Sequence, residues 1–138
     1  MNQKLCRVGT TYLPVIDVES STDWYVTNLG ATLSYMDSDK SIINLADQSF
    51  FLVKAKEYET ANFMDAKMAV RFSLTFEVDG LSALEELHNE LKGKGVEVGE
   101  IEDRGHAGRN FVFKDPNGNM FDVWSELSSL YKLRAGLE

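Results

Sequence analysis

Phe113-Lys114-Asp115-Pro116-Asn117-Gly118-Asn119, running into Met120-Phe121-Asp122-Val123-Trp124, is the stretch that decides the fold. Aromatic and apolar residues flank a turn in which Pro116 and Gly118 hold the places their backbone limits favour, so the segment reads as strand, tight turn, strand. Upstream, Asp103-Arg104-Gly105-His106-Ala107-Gly108 is a polar loop, and residues 96–102 are a further strand. Before these, Leu81, Leu84, Leu87 and Leu91 share one helical stripe, opened by Asp79-Gly80 and closed by Gly93 and Gly95. Residues 69–78 place a strand ahead of that helix, which gives the order β-α-β-β-β.

The first half of the chain repeats that order. Residues 10–16 are β-branched and aromatic, and Asp17 is placed to cap a helix whose stripe is Val18, Thr22, Tyr25 and Leu29, ended by Gly30. Residues 31–36, 41–46 and 49–55 are three more strands, the first two joined by Asp37-Ser38-Asp39-Lys40. The expected fold is α+β, one domain over residues 8–126, with unit one at 8–56, a connection at 57–68, unit two at 69–126 and a tail at 127–138. A helix covers one face of each mixed sheet only. Wrapping the other faces around a common axis is expected to leave a concave, partly apolar cleft for a small ligand.

A chain of 138 residues is enough for one ordinary core, and its net charge of −8 repels phosphate backbones. Nucleic acid and anionic membrane are therefore not expected as partners. No apolar run has the length of a signal peptide or a membrane span, which reads as a cytoplasmic protein. The lone Cys6 has no second thiol for a disulfide or a zinc cluster. Lys92 and Lys94 sit where a helix should end and face its dipole. The tail reads as a short docking helix, and Leu137-Glu138 also matches a common junction to a purification tag.

Three segments taken together resemble the vicinal oxygen chelate (glyoxalase/bleomycin resistance protein/dioxygenase) superfamily over nearly the whole chain. They are residues 15–25 with Asn28-Leu29-Gly30, then Phe76-Glu77-Val78-Asp79-Gly80, and the Asp-Pro-x-Gly-Asn turn at Asp115 with its final strand. The resemblance implies a homodimer and, in members that do chemistry, one divalent metal held by His, Gln or Glu from the first and last strand of each unit. In this chain those four places fall on Thr10, Leu52, Ser73 and Asp122. Leu52 has no lone pair, and neutral hydroxyls are poor ligands for a transition metal, so only Asp122 is of ligand type. No cofactor is expected. The implied function is that of the metal-free, drug-sequestering members: binding a small planar or amphipathic molecule. The alternative is a glyoxalase-like lyase or isomerase, or a dioxygenase-type enzyme, using Asp122, with His106 or Glu126, and a divalent metal.

Alternation along strands predicts that Thr10 with Tyr12, Leu52 with Lys54, Ser73 with Thr75, and Asp122 with Trp124 face the cleft, joined by Arg109. Tyr12 and Trp124 are then walls for a planar ligand, or simply plugs in a small cleft. Asp122 has three readings: residual metal ligand, general base, or carboxylate paired with Lys54 or Arg109. His106, flanked by glycines, is placed to reach the cleft mouth as acid, base or ligand, or to be an inert surface histidine.

Overall fold

The computed structural model describes residues 3–137. It divides into two compact units, the first ending at Ala61 and the second starting at Asn62.

The first unit comprises β1 (Thr10–Val15), α1 (Val18–Leu29), β2 (Thr32–Met36), β3 (Lys40–Leu45) and β4 (Gln48–Lys54). The sheet order is β1-β4-β3-β2, with β1 parallel to β4 and the other pairs antiparallel. α1 starts where the Asp17 carboxylate accepts a 2.8 Å hydrogen bond from the Ser20 N–H, which holds that carboxyl below its usual range. It stops at Gly30, whose φ of 73° lets the Ala31 N–H turn back to the Tyr25 carbonyl. The buried face of α1 holds Val18, Ser21, Thr22 and Tyr25. Thr22 Oγ1 meets Ser41 Oγ on β3 at 2.7 Å, a polar tie inside an apolar layer. Ser41 is in register with Leu52, and Leu52 with Leu13, so this row is the side of the sheet that α1 covers.

The second unit opens with a small hairpin of β5 (Phe63–Met64) and β6 (Val70–Arg71), where a continuous strand over residues 69–78 was expected. The Asp65 carboxylate explains the turn, because it accepts from the backbone N–H groups of Lys67 and Ala69 and so takes up that segment's donors. After the hairpin come β7 (Thr75–Glu77), α2 (Leu81–Gly93), β8 (Glu97–Val98), β9 (Asn110–Lys114), β10 (Met120–Trp124) and α3 (Ser129–Ala135). Their sheet order, β7-β10-β9-β8, repeats that of the first unit, again with its first and last strands parallel. The strand expected at 96–102 shrinks to two residues plus an isolated bridge from Glu102 to Asn110, Gly99 having interrupted its side-chain alternation.

Phe76, Phe111, Phe113 and Phe121 form one aromatic layer, with Phe113 and Phe121 centred 5.3 Å apart. His88 of α2 stands edge-on to Phe111 at 4.9 Å and meets the Gly99 carbonyl at 2.8 Å, which places that layer under α2. The deciding turn is held by Asp115, whose Oδ1 accepts from the N–H groups of Asn117 and Asn119 at 2.9 Å. Asn62 clamps it from outside, donating to the Gly118 carbonyl and accepting from the Met120 N–H. The tail does form a short helix, tied at its base by Glu77, which accepts from the Ser128 N–H and hydroxyl; none of its residues is buried.

Candidate functional site

On the side of the second sheet away from the phenylalanine layer, Asp122 lies between Thr75 on β7 and Val112 on β9, with Trp124 and Asn110 in the next row. Asp122 is only 2% exposed. Its Oδ2 accepts from Thr75 Oγ1 at 3.0 Å and from Asn110 Nδ2 at 2.9 Å. Its Oδ1 lies 3.1 Å from Arg104 Nη1, a close charge contact whose alignment falls short of a hydrogen bond. Arg104 in turn donates through Nε to Glu102 at 2.8 Å, and its guanidinium lies 5.6 Å from the centre of the Phe72 ring. Partial burial works against that charge, but the Glu102 bond and the nearby Asp122 outweigh it and push the guanidinium's pKa further up, so the cation is permanent.

Neither partner expected for Asp122 is the one found. Arg109 turns to Asp103 at 3.6 Å and to the Gly108 carbonyl at 3.1 Å, because its backbone N–H is fixed on Ser125 Oγ. Arg104 takes its place. His106 does not number among the carboxylate's partners; it stands edge-on to Trp124 at 6.0 Å with Nδ1 against the Ala107 carbonyl. The glycine-flanked loop that was expected to let it roam is pinned, since Trp124 Nε1 donates to the Ala107 carbonyl at 2.9 Å. Gly108, at φ +78°, packs so closely that an added Cβ would meet Ser125 Oγ at 2.6 Å and Trp124 Nε1 at 2.8 Å. Ser73 is exposed, in the bend before β7.

In the first unit, Thr10 and Tyr12 lie on the side of the sheet that α1 leaves uncovered, and Tyr12 is 64% exposed. Leu52 and Lys54 do not share that side. Leu52 pairs with Leu13 under α1 and is fully buried, while Lys54 pairs with Val15 and borders a hollow of about 380 Å³ with Asp17, Glu19 and Asp37. The residue opposite Tyr12 is Phe51, ring centroids 5.0 Å apart. The row continues through Ile42 to Tyr35, crossing all four strands. Tyr12 and Thr75 each stand five residues ahead of their helix caps, so Phe51 is the counterpart of Asp122. That internal repeat was the sequence signal for Phe51; Arg104 and Asn110, in a loop and at a strand's first residue, carried none.

The four places implied for a divalent ion thus hold Thr10, Phe51 in place of Leu52, Ser73 and Asp122. They do not fit the ion: one offers no lone pair, two offer neutral hydroxyls, and the single carboxylate already has a guanidinium against it. Among the described residues no three His, Cys, Asp or Glu side chains cluster to hold a metal. No helix among them is long and apolar enough to cross a membrane.

Known structures with the same fold are numerous. The lactoylglutathione lyase of Agrobacterium tumefaciens superposes with a TM-score of 0.70 at 16% identity, covering 88% of this chain and 95% of its own. The fosfomycin resistance protein FosX of Listeria monocytogenes, solved with Mn(II) and sulfate, gives 0.72 at 16% identity, covering 95% and 98%. An integron cassette protein from the Halifax Harbour sewage metagenome gives 0.70 at 21% identity, covering 89% and 100%. At such identities these likenesses establish the fold alone. No curated protein matches the sequence at a significant level. The sequence pattern of one family, however, matches residues 7–123, most of the chain, and with the twice-repeated β-α-β-β-β order it shows that the chain belongs to the Glyoxalase/Bleomycin resistance protein/Dioxygenase superfamily.

Proposed function

We propose that this protein binds a small planar or amphipathic molecule without the divalent metal used by catalytic members of its superfamily. The observation that carries the reading is the state of Asp122, the one carboxylate at the four ligand places, which is buried and engaged by Thr75, Asn110 and Arg104. A carboxylate so enclosed is poorly placed to coordinate an ion or to take a proton from a substrate. FosX of Listeria monocytogenes was crystallised with Mn(II), whereas among the described residues of this chain no three His, Cys, Asp or Glu side chains come together to hold such an ion. The surface suited to a planar ligand is the row Tyr12, Phe51, Ile42 and Tyr35, whose end residues are 64% and 47% exposed. A homodimer in the cytoplasm belongs to the same reading and rests on the family alone; light scattering checks the dimer.

The test is a thermal-shift and calorimetric screen of EDTA-treated protein against aromatic and amphipathic small molecules, antibiotics included. Binding by metal-free protein, weakened about tenfold or more by Tyr12→Ala, supports the proposal. Binding or turnover that appears only with a stoichiometric divalent ion overturns it.

A further inference from the structure

Asn117-Gly118 is the one Asn-Gly pair in the chain, and it lies at the centre of the turn that carries β9 into β10. Glycine has no Cβ to shield its own amide nitrogen, so in a slack chain the Gly118 nitrogen reaches the Asn117 side-chain carbonyl readily. The fold restrains both partners of that approach. The Gly118 N–H donates to the Asp115 carbonyl at 3.1 Å, and the Gly118 carbonyl accepts from Asn62 Nδ2 at 2.8 Å. Asn117 donates its own N–H to Asp115 Oδ1 at 2.9 Å and turns Nδ2 toward Asp115 Oδ2 at 3.4 Å. Asp115 also accepts from the N–H and the side-chain amide of Asn119, both at 2.9 Å, and Asp115 and Asn119 are 5% and 0% exposed. A second negative charge is unwelcome beside a carboxylate so enclosed.

We propose that Asn117 is a deamidation site held shut by this turn, and that its conversion is a one-way latch on the β9–β10 hairpin. When the turn opens, the Gly118 amide gives its proton to solvent base and its nitrogen bonds to Asn117 Cγ. The Cγ–Nδ2 bond breaks, and the base returns the proton to the departing nitrogen, which leaves as ammonia. Water then opens the succinimide ring. Cleavage at Cγ leaves aspartate; cleavage at the main-chain carbonyl leaves isoaspartate, whose backbone runs through the side chain and is one carbon longer. Either product adds a carboxylate inside the turn that Asp115 organises, and isoaspartate also displaces the N–H groups that Asp115 holds. A hairpin that has once stood open long enough to react therefore closes less firmly afterwards.

The experiment ages the full chain at mildly alkaline pH, folded and in guanidinium chloride. The tryptic peptide of residues 115–132 is followed by mass spectrometry and by labelling with an isoaspartate-specific methyltransferase. Conversion at Asn117 should be at least about tenfold slower in the folded protein than in the unfolded chain, because only the open turn reacts. Asn62→Ala, which removes the clamp on the Gly118 carbonyl, should convert faster than native while still folded. Should it not fold, Asn62→Asp, which keeps an acceptor for the Met120 N–H, takes its place. Asn117→Ser should lose the label. Chain converted in denaturant, refolded and separated by ion exchange should melt below native and exchange the Asn119 and Met120 amides faster, or fail to refold where Asn117→Ser given the same treatment succeeds. Equal rates in the folded and unfolded chain, or a clamp variant that converts no faster than native, overturn the held-shut turn. Converted protein that melts and exchanges as native does overturns the latch.

Discussion

Gly30 and Gly108 offer a matched pair of perturbations. Both have left-handed backbone, φ +73° and +78°, but a Cβ at Gly30 meets nothing within 4 Å, whereas at Gly108 it meets Ser125 Oγ at 2.6 Å, Glu126 Cγ at 2.8 Å and Trp124 Nε1 at 2.8 Å. Gly30→Ala should therefore cost only the backbone strain, about 1 kcal/mol. Gly108→Ala carries the same strain and must also push the loop off β10. That puts at risk the Trp124 bond to Ala107 and the Arg109 N–H bond to Ser125, each worth roughly 1 kcal/mol, for a total of about 2–4 kcal/mol. Urea denaturation followed by tryptophan fluorescence measures both, and a local change in the Trp124 signal should accompany only the second. Equal losses for the two variants would show that residues 103–109 yield freely, and the account of a pinned loop would be wrong.

Asp122→Asn should lower stability by about 1–3 kcal/mol by thermal denaturation, since it strips Arg104 of one counter-charge and turns a buried acceptor into an amide. Thr22→Val should cost about 1–2 kcal/mol, because Ser41 Oγ loses its partner inside the α1 layer; Thr22→Ser should recover most of it. Asp37 is held well below the usual carboxylate range by the Tyr35 hydroxyl and the N–H groups of Asp39 and Lys40. A carboxyl depressed on folding stabilises above its unfolded pKa, and the effect fades as pH falls through the folded one. The native protein should therefore exceed Asp37→Asn in melting temperature at neutral pH, by a gap that narrows below about pH 4. A gap independent of pH refutes the assignment.

The fold was legible because each half carries a strong local signal: Asp17 and Gly30 bounding the helix of the first, and in the second the Asp115 turn, whose side-chain bonds match its sequence. The faces of β4 were not. Phe50, Phe51, Leu52 and Val53 are all apolar, so alternation gives no sign of which pair looks toward α1, and only pairing with β1 resolves it. A slip of one residue there exchanged Phe51 for Leu52 and misplaced Lys54. Arg104 was hidden for a different reason: in an aperiodic loop a side chain's direction depends on tertiary contacts, here Glu102 and Phe72. The Asp65 turn fell in the stretch read only as a connection, which has no hydrophobic period to mark a hairpin.

In each sheet the strand made last lies between two made earlier: β4 between β1 and β3, β10 between β7 and β9. On a ribosome, the opening strand of either half therefore waits unpaired until the closing one emerges and zips in parallel beside it. A nascent chain halted before Met120 still lacks the keystone of its second sheet, leaving the three-residue β7 as an open edge that invites chaperones or aggregation.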